Sequence, residues 1–167
     1  KELCKKVIDA ELGIRWNTYL RAGQFDSELA DLMKRAGCSL ALLAQGSSPG
    51  RDLTGGLEEL GDVAAACRSV GLPHTLNIGF GDPGETENTV NQKLQFLIDV
   101  KPAFAVLRVG SRVLPGTGAA RLSIEEGLIQ SEDDLLEPMF YVEPAVRDWL
   151  PERLQKEAAG HPRWNVS

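Results

Sequence analysis

Apolar positions along this chain recur at two periods, and the alternation of those periods predicts an architecture. Leu3, Val7, Ile8 and Leu12 fall at helical spacing, so residues 1–12 read as a helix already under way, stopped by Gly13. A strand is expected over 14–19. The next helix is capped by Asp26 or Ser27, carries Leu29, Leu32, Met33 and Ala36 on one face, and is closed by Gly37. CSLALLA, 38–44, is a continuous apolar run of the kind a parallel strand covered on both faces shows. The loop QGSSPGRDLTGG, 45–56, leads to a third helix with Leu57, Leu60, Ala64 and Cys67 inward and Gly71 as its stop. Leu76, Ile78 and Phe80 then alternate with Thr75, Asn77 and Gly79, which predicts a strand over 75–80. Glu85 or Thr86 can cap the helix bearing Val90, Leu94, Leu97 and Ile98, and FAVLRV, 104–109, is a fourth strand.

Strands and helices that alternate in this way build right-handed βαβ units. The expected fold is α/β: four parallel strands in the spatial order of the sequence, forming a partial (β/α) barrel with helices on the convex side. From Ala119 the pattern changes. Residues 124–136 are acidic and partly helical, 139–142 are short and aromatic, and Pro144 to Ala158 is amphipathic but interrupted at Pro151. HPRWNVS reads as a tail. Two parts are expected: the partial barrel over 1–118 and a C-terminal extension packed on it over 119–167.

With 167 residues the chain is short for a complete (β/α)8 barrel of roughly 250. It is ordinary in composition, with 43% hydrophobic and 25% charged residues. The net charge of −6 argues against a nucleic-acid partner, and no apolar run reaches membrane-span length. Without an initiator Met, and opening inside a helix, the sequence reads as a piece of a longer polypeptide. Cys4, Cys38 and Cys67 lack metal-site spacing, and their odd number suits buried, reduced thiols and a cytoplasmic setting.

Ligands of parallel α/β folds meet the chain beyond the C-terminal ends of the strands. The residues expected there are Asn17 and Arg21, Gln45 and Ser47, Asn77 and Gly79, and Arg108 and Arg112. The densest stretch is TLNIGFGDPGETENT, 75–89. Its Gly79-x-Gly81-x-x-Gly84 has the spacing of a dinucleotide fingerprint, and Arg112 suits a 2′-phosphate. Against that, Asp82 and Glu85 place carboxylates where a pyrophosphate needs bare amides. His74 and His161 are too far apart and too poorly partnered to suggest a metal or a relay; His74, before its strand, reads as solvated, and His161 sits in the tail. The pairs Glu58/Glu59, Glu125/Glu126 and Asp133/Asp134 read as solvated helix faces and first turns.

Four segments together resemble one family: RWNTYLRAGQFDSELADLMKRAGC, VAAACRSVGLPHTLNIGFGDPGETENTVNQKLQFL, RVLPGTGAARLSIEEG and DLLEPMFYVEP. They are similar to the latter part of a radical S-adenosylmethionine protein of the kind that often carries a cobalamin-binding domain. The resemblance, over about 13–164, implies a (β/α)6 barrel of which this chain supplies the third to sixth strands and a C-terminal extension. In that family a [4Fe–4S] cluster, held by a C-x-x-x-C-x-x-C loop, reduces S-adenosylmethionine to a radical that takes hydrogen from a substrate. That loop has no counterpart here. Where the family usually has Glu or Asp before Ser-Gly-Ser, this chain has Gln45-Gly46-Ser47-Ser48, which removes a charge.

The resemblance therefore implies S-adenosylmethionine contacts from Asn17, Arg21, Gln45, Ser47, Asn77, Gly79 and Arg108, walls for an unidentified small-molecule substrate, and a cluster, with cobalamin beside it, held by residues outside this chain. It also implies that the chain alone assembles no cluster. The edge of the 14–19 strand should be covered by a preceding part of the same protein, by a second copy of the chain, or by the tail. A non-catalytic scaffold in which Gln45 marks lost chemistry is the competing reading, and the nucleotide site is a third.

Overall fold

The computed structural model describes residues 1–20, 23, 25–45, 54 and 56–167. Arg21 and Ser47 lie outside them. A strand–helix alternation runs through β1 (Trp16–Leu20), α2 (Ser27–Arg35), β2 (Cys38–Ala44), α3 (Leu57–Ser69), β3 (His74–Phe80), α4 (Glu87–Val100) and β4 (Phe104–Val109), preceded by α1 (Glu2–Asp9). β1 pairs with β2 and β2 with β3, both in parallel, as the alternation predicts. The sheet order is β1-β2-β3-β4-β7, so the four expected strands stand in sequence order. The fifth, β7 (Trp164–Val166), was expected to be only a tail. Ser167 N donates to Leu107 O at 3.0 Å and Val109 N to Ser167 O at 2.9 Å, the slanted pattern of a parallel pair. The tail therefore lies beside β4.

The chain divides into two compact units. The first comprises Lys1–Gln45, Gly56–Ile78 and Lys93–Val106; the described stretches of the second include Gly79–Gln92 and Leu107–Ser167.

In the first unit, β1 begins at Trp16, two residues later than the expected Ile14. Gly37 explains the delay: its φ is +89°, and a Cβ there would lie 1.9 Å from Ile14 O. Only glycine allows that approach, and it holds 12–15 as irregular chain leading into the sheet. Trp16 Nε1 then donates to Ala36 O at 2.7 Å, and a register shift falls between Trp16 and Asn17. Asp26 caps α2, accepting from Leu29 N at 2.7 Å. Ala41, Leu43, Leu76 and Ile78 are buried with the inward residues of the helices, including Met33, Leu60, Ala64, Leu94 and Leu97.

His74 corrects its sequence reading. It is 4% exposed, on the same side of β3 as Leu76, and its Nε2 is buried without a partner. Burial, and then the nearby Arg68, hold the imidazole below its usual range.

In the second unit, a two-stranded antiparallel ribbon joins β5 (Ser111–Arg112) to β6 (Phe140–Tyr141). α5 (Gly118–Glu125) is capped by Thr117, and Val113, Ala119, Ala120 and Tyr141 form a small core beneath Leu122, Leu135 and Met139. The stretch expected to be broken by Pro151 is two helices, α6 (Pro144–Arg147) and α7 (Leu150–Ala159). Pro144 and Pro151 both occupy first turns, where the missing N–H costs nothing, so Pro151 opens a helix instead of interrupting one. His161 stacks on Trp164, with ring centroids 4.0 Å apart.

Candidate ligand site at the strand ends

Where each strand leaves the sheet depends on register. Ala44 pairs with Asn77, and Gln45 N donates to Asn77 O at 3.0 Å, so Gln45, just past the end of β2, neighbours Asn77 in the middle of β3. Asn77 Oδ1 is buried and has no hydrogen-bond partner. Asn17 does not join them. It is the second residue of β1 and pairs with Leu40, five residues before Gln45, or about 16 Å along the strand at ~3.3 Å per residue. Its side chain is exposed.

In the second unit, Gly79 and Arg108 are brought together. A Cβ built on Gly79 would lie 3.5 Å from Arg108 Nη2 and 3.3 Å from Asp82 Oδ2. Arg108 Nε is buried without a partner. Ser111 Oγ donates to Asp82 Oδ1, which fixes that carboxylate over the glycine. Arg112 lies apart, exposed on β5 opposite Phe140. Asp82 and Ser111 were not singled out from sequence as ligand-facing; an aspartate in a glycine turn carries no mark of its direction.

The loop after β3 is organised by carboxylates. Glu85, 1% exposed, accepts from Gly81 N at 3.2 Å and from the Thr89 hydroxyl. Glu143 Oε2 accepts from Gly84 N at 2.6 Å, and Glu143 N donates to Gly81 O at 2.9 Å. Glu85 is thus not the cap of α4. Thr86 is: its Oγ1 accepts from Thr89 N at 3.2 Å, and Thr89 Oγ1 accepts from Thr86 N at 2.9 Å. Two amides of the dinucleotide spacing, those of Gly81 and Gly84, are already engaged by protein carboxylates. A pyrophosphate would have to displace both, which weighs against the nucleotide reading.

Tyr141 completes this network, its hydroxyl 3.0 Å from Glu126 Oε1 and 3.5 Å from Glu143 Oε2. Burial, then the Glu126 carboxylate, pushes its phenol well above the usual range. Glu126 is therefore a hydrogen-bond partner as well as part of an acidic helix end.

The thiols are buried on α1, at the start of β2 and on α3. Cys38 lies close enough to both Cys4 and Cys67 for their charges to interact, and burial pushes the Cys67 thiol up to about 11. Among the described residues no group of three His, Cys, Asp or Glu could hold a metal ion. The described residues therefore do not fit a [4Fe–4S] cluster. No helix among them is long and apolar enough to cross a membrane.

No protein-family model matches the chain, and no curated protein matches it. Its fold is similar to solved structures of the radical S-adenosylmethionine methyltransferase TsrM from Kitasatospora setae. With cobalamin and a [4Fe–4S] cluster bound, that protein aligns with a TM-score of 0.75 at 17% identity, over 99% of this chain and 42% of TsrM. With tryptophan substrate and the S-adenosylmethionine analogue aza-SAM bound, it aligns with a TM-score of 0.74 at 17% identity, over 98% and 41%. The chain thus spans about two-fifths of that protein's length, and what the likeness establishes is the fold: a five-stranded parallel α/β sheet resembling part of a radical S-adenosylmethionine methyltransferase.

Proposed function

We propose that this chain is the C-terminal barrel portion of a radical S-adenosylmethionine enzyme, supplying walls for S-adenosylmethionine and for a small-molecule substrate. The observation that carries the reading is Asn77. A buried carbonyl oxygen without a partner is costly, and it stands midway along β3 beside Gln45, the residue that follows the end of β2. In the first unit Gln45 and Asn77 would hydrogen-bond the cosubstrate; in the second, Gly79 and Arg108 would contact a ligand group. The TsrM structures carry cobalamin, a cluster and an S-adenosylmethionine analogue, and these are the cofactors proposed for the complete protein. No step through a cluster is assigned to this chain, whose described residues offer no ligands for one.

β1 ends the sheet, and its outer hydrogen-bonding groups are proposed to pair with a preceding segment of the same protein or with a second copy. Sedimentation as a stable monomer, with β1 amides exchanging freely, would remove that part of the reading.

Calorimetric titration with S-adenosylmethionine tests the site. Weak binding is expected, tightened several-fold by Gln45→Glu and abolished by Asn77→Leu. No binding to either the parent or the Gln45→Glu chain would leave the scaffold reading in place.

A further inference from the structure

Both faces of the β5–β6 ribbon carry large apolar side chains, though only one face is covered. Ser111 pairs with Tyr141 and Arg112 with Phe140, and Val113 N donates to Met139 O at 2.9 Å, which carries the pairing one step further. Successive side chains of a strand point to opposite faces. Val113 and Tyr141 therefore share the inner face, buried with Ala119 and Ala120. Arg112, Leu114 and Phe140 take the outer one, where Leu114 is 49% and Phe140 57% exposed. The solvated face of an antiparallel pair ordinarily carries polar residues.

Leu136 extends the apolar strip. It ends a 3-10 turn, Glu132–Leu136, held by a reciprocal capping box between Ser131 and Asp134. Glu132 Oε1 accepts from Gly116 N at 2.9 Å, which moors the turn to the loop after β5. Leu135 packs against the small core, and Leu136 is left 91% exposed, more than any other large hydrophobic among the described residues. The turn beneath it is tied down, so the exposure belongs to a formed surface.

Charge narrows what could cover that surface. Residues 122–146 hold seven carboxylates and no Lys, Arg or His. Four are engaged within the fold: Glu126 with Tyr141, Glu132 with Gly116, Asp134 with Gln130 and Glu143 with Gly84. The other three, Glu125, Asp133 and Glu137, are exposed and in no ion pair among the described residues. Asp133 and Glu137 lie three residues before Leu136 and one after it. A second copy would bring this acidic rim against itself, with Arg112 alone to offset it, and an anionic lipid surface would be repelled. A partner with Lys or Arg beside apolar side chains meets both the strip and its rim. The strip runs from a ribbon face onto a turn, so the apolar stripe of a helix fits it better than an added strand does.

We propose that Leu114, Phe140 and Leu136, with Asp133 and Glu137 at their rim, form a docking surface for a cationic amphipathic helix of another polypeptide. It draws on the second unit alone, so it stands or falls separately from the S-adenosylmethionine site proposed above.

The test titrates the full chain with a fluorescein-labelled leucine–lysine peptide of about 14 residues, near the shortest length at which such a helix stands alone. Fluorescence anisotropy should show saturable binding that weakens steeply with added salt, with amide shifts confined to residues 111–114 and 132–140. A leucine–glutamate peptide of the same pattern should not bind. Phe140→Ser and Leu136→Ser should each weaken binding at least about tenfold. Leu136 is too exposed for its loss to unfold the chain, so circular dichroism should stay unchanged in that variant. Asp133→Asn combined with Glu137→Gln should remove most of the salt dependence. Leu3→Ser, at a comparably exposed leucine of the first unit, should change nothing. Shifts elsewhere, an equal loss in Leu3→Ser, equal binding of the glutamate peptide, or no saturable binding would overturn the inference. Concentration-dependent dimers lost in Phe140→Ser would assign the face to a second copy and overturn it too. So would peptide binding that vanishes in the complete protein, which would assign the face to another part of the same polypeptide.

Discussion

The two faces of β2 and β3 are built to different rules. On one, Ala41, Leu43, Leu76 and Ile78 are at most 1% exposed. On the other, Leu40, Leu42, Thr75 and Asn77 are half-buried and Ala44 is exposed, while Tyr19 of β1 stands 71% exposed. The first face is a core, apolar in all but His74. The second mixes Thr and Asn with aliphatic residues and leaves a buried oxygen unsatisfied, which no stability argument explains. This mixed, part-exposed surface is the one proposed above as a ligand wall.

The largest effect expected from this contrast concerns truncation. Leu76→Ala should cost about 2–5 kcal/mol, because a fully buried site loses transfer energy and gains a cavity. Leu42→Ala, on the other face, should cost less than about 1 kcal/mol by the same reasoning. Urea unfolding of both variants reads the difference. Equal costs would mean that both faces are core.

Next is Glu143, which ties the loop after β3 in the second unit. Glu143→Ala strands the Gly84 amide and removes a charge-assisted bond, so a loss of about 1.5–3 kcal/mol is expected. Glu143→Gln retains an acceptor and should lose less. If thermal melting puts the two variants level, the carboxylate does not hold the loop.

His74 is a polar residue set among the apolar ones of the covered face. Its folded pKa is depressed, so between the unfolded value near 6.5 and the lower folded value the unfolded chain binds a proton that the folded chain does not. Its contribution is complete above about pH 6.5 and is lost as pH falls below it. His74→Leu should flatten the fall in urea midpoint between pH 7 and 5.5; an unchanged slope would assign the dependence to other groups.

The covered face was legible in the alternation of Leu76, Ile78 and Phe80, whereas the continuous run CSLALLA predicts burial on both faces, and Leu40 and Leu42 are only half-buried with Ala44 exposed. His74 was misread because a histidine at a strand's start looks the same wet or dry. The fifth strand was missed because three residues, Trp164–Val166, are too few to show a period. Of the expected ligand residues, Gln45 with Asn77 and Gly79 with Arg108 meet, because strand ends are fixed by register. Asn17 does not, since the Gly37 approach to Ile14 delays β1, and a shift of two residues moves a side chain from a strand's exit toward its entrance. The engagement of Gly84 by Glu143 spans 59 residues of sequence, beyond the reach of local pattern.

The smallest expected effect is also the sharpest for the comparison. Asn77→Leu replaces the unpartnered oxygen with apolar surface on a half-buried site. In a residue kept for folding, such a change should destabilise. In a residue kept for a ligand, removing an unsatisfied acceptor relieves its desolvation, so stability should hold or rise by up to about 1 kcal/mol while S-adenosylmethionine binding disappears. The two readouts must move in opposite directions. If Asn77→Leu melts well below the parent, the oxygen serves the fold, and the second face is simply a poorer core than the first.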